Sequence, residues 1–488
     1  MRRLILLTCL LFVCSAGIAQ QFRISNIDFG GVTVAGDFNR DGWPDLAIIG
    51  MDPEAGGGGS LIAFPGTGGG NFGVGVQTIL PYLTPGYQPS MLTADINGDG
   101  ILDLVITNDN MVMIFYGDGH LAFSEGPTLT FAHSIETLQL GDLNGDGRVD
   151  MVVAEYTESG SSCSIETELN AGGGNFTTGE TLALSQCPTR IALADINGDG
   201  KLDLLVSEPQ TFVIWPGLGN GSFKTASHIT PPKLCTPSKT CSLNLDGFAL
   251  SDFYNNGLLH LAMLQSACNP ETDPGGTDCL GAVYIYKNSG SGSFSFAHTL
   301  KFNHSSSTAG IAGFDLNGDQ KPDILVNKYY QTPNGFVFLG NGNGTFGTLR
   351  SLFSWNEGNF DLSRDLQLSS RQDVVGTAWL SAGLSTEVAL NTTPVVNCPP
   401  PRSGKLAARI CSPTAGASPA TFVVKASGNS PAGVQRVEVW IDGKKKAESC
   451  SDQLSKKFTL SAGTHKVTVV AVDKYTGTAK SSVNIMVP

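Results

Sequence analysis

The amino-acid sequence predicts an all-β protein: a seven-bladed β-propeller followed by a small C-terminal β-sandwich. Three observations carry this prediction. A nine-residue acidic pattern, Asp-x-Asn-x-Asp-Gly-x-x-Asp, recurs along the chain at intervals of 46 to 63 residues. Each interval holds four short apolar segments separated by turn residues, the composition of one propeller blade. Residues 395–488 lack the pattern and alternate apolar and polar side chains as sandwich strands do.

The first nineteen residues have the features of a secretion signal. Arg2 and Arg3 precede an apolar run, and small residues at 17–19 form a cleavage site. The apolar run is about ten residues long, half of what spans a bilayer. We therefore predict a signal peptide at 1–19. The mature protein is expected to be secreted or held in the cell envelope or periplasm, without a transmembrane anchor.

Oxygen-bearing side chains occupy positions 1, 3, 5 and 9 of the acidic pattern. Ca²⁺ takes six to eight oxygen ligands and tolerates irregular geometry, so such a loop suits it. Five copies are complete at these positions, although Gln320 replaces the glycine in the last of them. We predict about five Ca²⁺ ions, one per loop. The predicted ligands are Asp37, Asn39, Asp41, Asp45, Asp95, Asn97, Asp99, Asp103, Asp142, Asn144, Asp146, Asp150, Asp195, Asn197, Asp199, Asp203, Asp315, Asn317, Asp319 and Asp323.

Position 12 of the loop excludes the EF-hand and related helix–loop–helix sites. An EF-hand needs a bidentate carboxylate there. In the five copies, however, position 12 is always apolar: Ile48, Ile106, Val153, Val206 and Val326. The chain has therefore entered a buried strand by this point.

With these five copies, the chain resembles the FG-GAP/VCBS repeats of the integrin α-subunit propeller and its bacterial relatives, over about residues 22–393. The resemblance implies seven blades, with Ca²⁺ in the hairpin loop between the first two strands of a blade. Two further repeats, starting at Asp252 and Asp361, are degenerate. The repeat at Asp252 has Tyr254 and His260 at positions 3 and 9 in place of oxygen ligands. Because both repeats lack ligand positions, we expect neither to bind Ca²⁺ tightly.

The last repeat ends at 388–393 without its Gly-rich turn and final strand. Residues 21–27 precede the first complete repeat and have the composition of a strand. We therefore predict that this N-terminal segment supplies the outer strand of the last blade, which would close the ring and protect two sheet edges.

Charge divides the mature chain into two domains. Residues 20–394 hold 15 Lys and Arg against 38 Asp and Glu, a net charge of −23, whereas residues 395–488 hold 13 against 5, or +8. We predict a propeller at 20–394, a Pro-rich linker at 395–404 and an Ig-like sandwich at 405–488. So acidic a main domain makes nucleic acid an improbable partner.

Nine cysteines remain after removal of the signal, and an exported protein keeps disulfides. Sequence proximity suggests Cys163–Cys187, Cys235–Cys241, Cys268–Cys279 and Cys411–Cys450, with Cys398 left over. Cys398–Cys411 is an open alternative, because connectivity cannot be read from sequence. Cys235–Cys241 and Cys268–Cys279 both belong to the degenerate repeat that contains Asp252. We predict that these disulfides replace the cross-link that a metal ion would give there.

The sequence favours recognition over catalysis. No HExxH, GxSxG or Cys–His signature is present. Loops on the face opposite the acidic loops carry Tyr82, Tyr87, Tyr156, Tyr329 and Tyr330, which suit an extracellular protein or glycan ligand. We predict adhesion or recognition with structural Ca²⁺. The alternative is a carbohydrate-active enzyme such as a polysaccharide lyase, with Tyr329, Tyr330 and His304 as candidate bases.

The C-terminal domain carries a short basic run, Lys444-Lys445-Lys446. A solvated hairpin explains such a run. The sharper interpretation is attachment to an acidic glycan or surface, which would weaken as salt rises.

Overall fold

The computed structural model describes residues 22–27, 31–51, 58–68, 71–84, 87, 89–156, 163–232, 234, 242–268, 279–304, 308–316, 319, 321–328, 335–353, 360–364, 373–380, 383–391, 405–430, 434–449, 453–473 and 477–488. One compact unit comprises residues 22–316 and 321–392, and the other includes the chain from residue 393 onward. The predicted signal peptide and linker lie outside the described residues. The predicted domain boundaries stay predictions.

Every regular element in the described residues is a β-strand, which confirms the all-β fold class. The first compact unit contains β1 to β28: β1(Phe22–Ile27), β2(Val32–Gly36), β3(Asp45–Met51), β4(Gly58–Phe64), β5(Val76–Tyr82), β6(Met91–Ala94), β7(Asp103–Asn108), β8(Met111–Gly117), β9(Phe123–Thr130), β10(Ser134–Gly141), β11(Asp150–Tyr156), β12(Cys163–Gly172), β13(Asn175–Leu184), β14(Arg190–Ala194), β15(Asp203–Ser207), β16(Phe212–Trp215), β17(Ser227–Ile229), β18(Ser242–Ser251), β19(His260–Cys268), β20(Cys279–Asn288), β21(Phe294–His304), β22(Thr308–Phe314), β23(Asp323–Lys328), β24(Gly335–Phe338), β25(Arg350–Phe353), β26(Phe360–Arg364), β27(Asp373–Leu380) and β28(Gly383–Asn391).

These strands form seven four-stranded antiparallel sheets in the described residues. Sheets 1 to 6 each take four consecutive strands, from β2–β5 to β22–β25. Sheet 7 has the order β1-β28-β27-β26, so its outer strand comes from the N-terminus. Phe22 pairs with Asn391 and Ile27 with Thr386. The prediction that the N-terminal segment completes the last repeat is confirmed.

The second strands of sheets 2 and 4 are buried on both faces because sheets pack against them from either side. All six residues of β7 are buried, and so are all five of β15. Ala47, Leu104 and Phe115 share one core between sheets 1 and 2. Val105 and Val153 share the next core, between sheets 2 and 3. Continuous apolar runs such as Leu104–Thr107 follow from this two-sided burial.

Contacts join most of the described sheets in chain order and also join sheet 1 to sheet 7. Strand β2 contacts β6, β6 contacts β10, β10 contacts β14 and β18 contacts β22, and β2 also contacts β26 of sheet 7. This is the neighbour order that a closed propeller requires. That the seven sheets are seven blades of one ring remains our prediction.

The acidic loop of each sheet lies between its first and second strands. Position 9 opens the second strand in sheets 1 to 4 and 6, as Asp103 opens β7. In sheet 7, Asp373 opens β27 whereas Asp361 lies inside β26. The prediction that Asp361 is the first position of that repeat is therefore wrong. A nine-residue loop that ends at Asp373 begins four residues later than predicted.

The second compact unit is a two-sheet β-structure. Its strands are β29(Ala407–Ser412), β30(Gly416–Ala417), β31(Thr421–Asn429), β32(Val434–Ile441), β33(Lys444–Ser449), β34(Gln453–Thr459), β35(Gly463–Asp473) and β36(Thr478–Val487). One sheet has the order β29-β31-β34 and the other β30-β36-β35-β32-β33. Val437, Val439 and Val469 lie in the core between them. Asp442 and Gly443, with φ of 51° and 77°, form the predicted hairpin turn between β32 and β33.

Candidate metal loops

Positions 1, 3 and 5 of an acidic loop converge on one exposed turn. In the second loop, Asp95 Oδ1 and Asn97 Oδ1 both accept the amide hydrogen of Asp99, at 3.0 and 2.8 Å. Asn97 Nδ2 donates to Asp99 Oδ2 at 3.0 Å. Gly100 has a φ of 81°, and its amide donates to Asp95 Oδ2 at 2.8 Å. A side chain at position 6 would strain this left-handed backbone, which explains the glycine of the pattern.

The same arrangement recurs in the other loops that are fully described. The position 6 amide donates to the position 1 carboxylate at 3.0 Å in the first loop, 2.9 Å in the third and 2.8 Å in the fourth. The structure therefore brings together positions 1, 3 and 5 at Asp37, Asn39 and Asp41, and at their counterparts in the second to fourth loops. In the sixth loop it describes Asp315, Asp319 and Asp323, while Asn317 lies outside the described residues.

Position 9 is turned inward, away from the exposed turn. Asp45, Asp103, Asp150, Asp203 and Asp323 are all buried, with at most 1% of their surface exposed. Asp103 Oδ2 accepts the amides of Ile96 at 2.8 Å and Asn97 at 3.3 Å. Its Oδ1 accepts the amide of Gly117 at 2.9 Å. Because an oxygen has two lone pairs, only one lone pair of Oδ1 is left for a metal.

Burial disfavours the charged form of these inward carboxylates. Burial raises the pKa of Asp45, Asp103, Asp150 and Asp203 above the ordinary value, although backbone hydrogen bonds oppose the shift. Repulsion from position 5, such as Asp99 acting on Asp103, raises the pKa further. A cation bound near these carboxylates would favour their charged form and lower the pKa values again.

Oxygen is the ligand atom that each loop offers. Among the described residues, no three Asp, Glu, His or Cys side chains gather as a metal cluster, because position 3 is an amide and position 9 faces inward. The outward donors are two carboxylates and one amide oxygen. This set fits a hard cation such as Ca²⁺ and gives no nitrogen or sulfur ligand for Zn²⁺. The assignment of all twenty predicted ligands stays a prediction.

The fifth loop replaces the inward carboxylate with a neutral imidazole. His260 is fully buried, and its Nδ1 lies 3.0 Å from the Asn288 amide that donates to it. Its Nε2 lies 3.0 Å from Asn256 Oδ1, which makes Nε2 the protonated nitrogen. Asp252 still accepts the amides of Asn256 and Gly257, at 2.9 and 2.7 Å. In this loop the His260 imidazole makes structural hydrogen bonds in place of those that the position 9 carboxylate makes in the other loops.

Two asparagines that the sequence analysis did not single out link neighbouring sheets. Asn170 Nδ2 donates to the Ile96 carbonyl at 2.8 Å, and Asn288 Nδ2 donates to the Ile196 carbonyl at 2.6 Å. Both residues stand where sheets 1, 2, 4 and 6 have a glycine that donates to position 9. Comparison of the repeats would have identified both residues, because each is an asparagine at a position where most repeats have a glycine.

Position 7 covers the Gly-rich turn between the third and fourth strands of its own sheet. A methyl group at Gly68 would lie 3.1 Å from the Trp43 ring, and one at Gly219 would lie 3.0 Å from Lys201. Arg148 Nε donates to the Asn170 carbonyl at 2.6 Å. The loop and the turn therefore form one surface on each sheet.

The opposite face gives no catalytic constellation in the described residues. The Tyr87 hydroxyl donates to the Ile135 carbonyl at 2.8 Å, so this side chain anchors its loop. Tyr329 and Tyr330 lie outside the described residues, and His304 is the last residue of β21. The lyase alternative therefore stays a prediction.

One predicted disulfide is confirmed. Cys163 and Cys187 are bonded, with Cα atoms 5.0 Å apart. Cys268 and Cys279 face each other in the register of β19 and β20. Cys411 is also disulfide-bonded, and both of its candidate partners, Cys398 and Cys450, lie outside the described residues. Cys235 and Cys241 lie outside them too.

The basic run of the second compact unit is partly neutralised. Lys445 Nζ donates to Glu438 Oε1 at 2.8 Å and also to Glu448 Oε2. Glu438 also accepts bonds from Arg436 and Trp440, both at 2.8 Å. These contacts use Lys445 within its own sheet and leave Lys444 and Lys446 as the exposed charges of the run.

Family models match both parts of the chain. The FG-GAP-like repeat matches residues 37–106, 95–153 and 252–326, and the FG-GAP repeat matches residues 188–222. The bacterial Ig domain matches residues 407–469. The chain is an FG-GAP repeat protein with an appended Ig-like domain. Repeats of this kind are typical of recognition and adhesion proteins. No curated protein matches the chain.

Several solved structures resemble this FG-GAP repeat protein at low identity. BBS1N in complex with ARL6DN is 12% identical, with 79% of this chain and 98% of that chain covered and a TM-score of 0.48. An Agrocybe aegerita lectin, whose title names recognition of non-reducing terminal N-acetylglucosamine, is 16% identical, with coverage of 75% and 86% and a TM-score of 0.48. The fibronectin(III)-like modules of Clostridium thermocellum CbhA are 20% identical, with coverage of 16% and 94% and a TM-score of 0.16. At these TM-scores the likenesses carry no argument.

A membrane-spanning helix is not found: within the described part of this FG-GAP repeat protein, no helix has the length and apolar character needed to cross a bilayer.

Proposed function

We propose that this protein is an exported, calcium-stabilised recognition or adhesion protein that binds an extracellular protein or glycan. The observation that carries the proposal is the repetition of one loop geometry in successive sheets. The first four loops present outward oxygens at positions 1, 3 and 5 above a buried carboxylate at position 9. Loops that recur in five of the seven sheets cannot all serve one catalytic centre, so their cations would act as structural clamps.

The position of each loop explains what a clamp would do. The loop joins the first strand to the second, and its position 9 also holds the turn after the third strand, as Asp103 holds Gly117 at 2.9 Å. Extracellular Ca²⁺ modules bind at roughly 10⁻⁴ to 10⁻³ M. At tenfold saturation each ion would add about 1.4 kcal/mol to the free energy of unfolding.

Export is supported by the sequence of the first nineteen residues and by the Cys163–Cys187 disulfide. Disulfides persist in oxidising compartments and are rare in reducing ones. A clamp that relies on Ca²⁺ at about millimolar concentration also suits the outside of a cell, where such concentrations are found.

Removal of Ca²⁺ tests the structural part of the proposal. We expect the unfolding temperature to fall in EDTA and to recover with Ca²⁺ in excess. Asp95→Asn, at position 1 of the second loop, is expected to reduce the recovery. Asp252→Asn, the matched change in the fifth loop, is expected to leave it unaltered. Equal unfolding temperatures with EDTA and with Ca²⁺ would contradict the proposal.

A binding screen tests the recognition part. The whole chain is applied to arrays of extracellular glycans and proteins, with Ca²⁺ and with EDTA. We expect Ca²⁺-dependent binding to at least one class. Release of unsaturated sugar products from acidic polysaccharides would favour the lyase alternative instead.

A further inference from the structure

Asn170 joins two successive acidic loops through one amide group. Its Nδ2 donates to the Ile96 carbonyl of the second loop at 2.8 Å and to the Val149 carbonyl of the third loop at 3.2 Å. A side-chain amide has two N–H donors, and both are used here. Ile96 is position 2 of its loop, and Val149 is position 8 of the next. The amide group therefore bridges two loops that keep all four of their predicted Ca²⁺ ligands.

The bridging residue is held in place by its own sheet. The backbone amide of Asn170 donates to Asp150 Oδ1 at 2.7 Å, and its Oδ1 accepts the amide of Gly172 at 2.9 Å. Only 1% of the Asn170 surface is exposed. These contacts fix the direction of Nδ2, because the loss of any of them would leave a buried polar group without its partner.

Asn288 makes the same kind of bridge between the fourth and fifth loops. Its Nδ2 donates to the Ile196 carbonyl at 2.6 Å and to the Leu259 carbonyl at 3.0 Å, which are again positions 2 and 8. Its Oδ1 accepts the Gly290 amide at 2.9 Å. The two bridges differ in what they join, because the fifth loop lacks the predicted ligands of positions 3 and 9.

The equivalent position in the other complete repeats cannot form this bridge. It is a glycine in sheets 1, 2, 4 and 6, and a glycine has no side chain with which to reach the preceding loop. A backbone amide crosses to the preceding loop instead at some junctions, as from Gly221 to the Leu143 carbonyl at 3.2 Å. Such a bond joins a loop to a turn. Among the described junctions, Asn170 alone bridges two loops with complete ligand sets.

We propose that Asn170 is a positioning residue that couples Ca²⁺ binding in the second loop to Ca²⁺ binding in the third. Position 2 lies between the ligands of positions 1 and 3, so a cation held by those side chains also fixes the Ile96 carbonyl. In the third loop, position 8 adjoins the buried Asp150 that holds the Asn170 backbone. Once one loop is ordered, the bridge is in place for the other, which loses less conformational entropy on binding. Occupancy of either loop thus raises the affinity of the other by the same factor.

This inference rests on the proposed function, since it requires the loops to bind Ca²⁺, and it adds that two of the sites are not independent. The whole chain is freed of metal with EDTA, dialysed and titrated with Ca²⁺ by calorimetry. The number of bound ions and their affinities are compared among variants. Thermal unfolding in EDTA first shows that each variant is folded.

Removal of a position 1 carboxylate is the first test. We expect Asp95→Asn to bind one ion fewer than the wild type and to bind one of the remaining ions about fivefold more weakly, the lower end of the usual range for coupled sites. Asp142→Asn in the third loop should have the same two effects, because coupling is reciprocal. Asp37→Asn is the matched control. It should lose one ion and leave the others unchanged, because Gly117 offers no side chain to bridge the first and second loops.

Removal of the bridge is the second test. In Asn170→Ala, the further change Asp95→Asn should remove one ion without weakening another. Asn288→Ala controls for the lost hydrogen bonds, because it removes the same kind of bridge from a loop pair in which one member is not expected to bind Ca²⁺. In that background Asp95→Asn should still weaken a second ion about fivefold.

Two results would overturn the inference: unchanged affinity of the remaining ions in Asp95→Asn, or equal weakening by Asp95→Asn with and without Asn170. If Asn170→Ala does not fold, Asp95→Asn and Asp142→Asn still decide the matter. Independent sites would leave the structural role of Ca²⁺ standing. A chain that binds no Ca²⁺ would overturn both ideas.

Discussion

Asp103 Oδ1 accepts the amide hydrogen of Gly117 at 2.9 Å, and this bond ties the second acidic loop to the end of β8. The same carboxylate holds the loop amides through Oδ2. Position 9 therefore belongs to the folded core of its sheet, whereas positions 1, 3 and 5 belong to the exposed turn. The two kinds of position should respond differently to substitution.

We predict that Asp103→Asn lowers the free energy of unfolding by about 2 to 3 kcal/mol in both EDTA and Ca²⁺. An amide has only one accepting oxygen, so at least one buried backbone donor loses its partner, at a cost of about 1 to 3 kcal/mol. Asp99→Asn should be nearly neutral in EDTA and destabilising only when Ca²⁺ is present. Urea unfolding of both variants in both conditions makes the comparison, and equal losses in the two variants would refute it.

The fifth loop should make the protein sensitive to acid. Burial lowers the pKa of His260 below its ordinary value of 6.5. The unfolded chain then binds a proton below pH 6.5 that the folded chain does not bind. The stability that His260 provides is thus present above this pH and is lost as the pH falls. Protonation would also remove the Nδ1 lone pair that accepts from Asn288.

We predict that the unfolding temperature in EDTA drops between pH 7.5 and 5.5 and that His260→Gln flattens this drop. His228→Gln is the control, because His228 is exposed on β17. If the unfolding temperature of His260→Gln depends on pH as that of the wild type does, a group other than His260 causes the acid sensitivity.

Two buried glutamates on sheet 3 should act in the opposite direction. Glu155 and Glu168 are 2% and 6% exposed, and burial raises the pKa of each above 4.5. The neighbouring Glu166 raises both pKa values further. The folded state therefore binds protons that the unfolded state has released. The free energy of unfolding should fall as the pH rises from 4.5 through the raised pKa values.

We predict that Glu155→Gln stabilises the protein at pH 8 by on the order of 1 kcal/mol and weakens this fall. Glutamine keeps an oxygen to accept the His133 amide, which donates to Glu155 Oε2 at 3.0 Å. Glu125→Gln, on the exposed part of β9, should change nothing. Chemical unfolding across pH 4 to 8 measures both. Destabilisation of Glu155→Gln at pH 8 would count against the interpretation.

The Cys163–Cys187 disulfide should contribute to stability through the unfolded chain. Its two residues are 24 positions apart. A loop of this length corresponds to about 3 kcal/mol of lost unfolded-state entropy. We predict a loss of that size for the paired change of both cysteines to alanine, measured by urea unfolding. An unchanged midpoint would mean that the bond constrains little.

The repeats, the loops and the closing strand could be predicted from sequence because their signals are local or countable. Nine adjacent residues define each loop, and the strand absent after residue 393 directs attention to residues 22–27. The inward orientation of the Asp103 side chain could not be predicted from the sequence, because it depends on a hydrogen bond from Gly117 in a different strand.

The His260 substitution shows the same limit. The sequence shows that the fifth loop lacks the aspartate of position 9. It does not show which hydrogen bonds His260 makes instead, because one of them comes from Asn288 on the third strand of the sheet. A pattern match registers a missing carboxylate. Only the neighbouring strand reveals that an imidazole takes over the structural part of that role.

The pairing of β1 with β28 has a consequence for biosynthesis. The earliest described segment of the chain finds its hydrogen-bonding partner only after residue 391 has been made. Until then the residues of β1 have no complete partner strand. Strand β1 can therefore take its place in sheet 7 only after synthesis has passed residue 391.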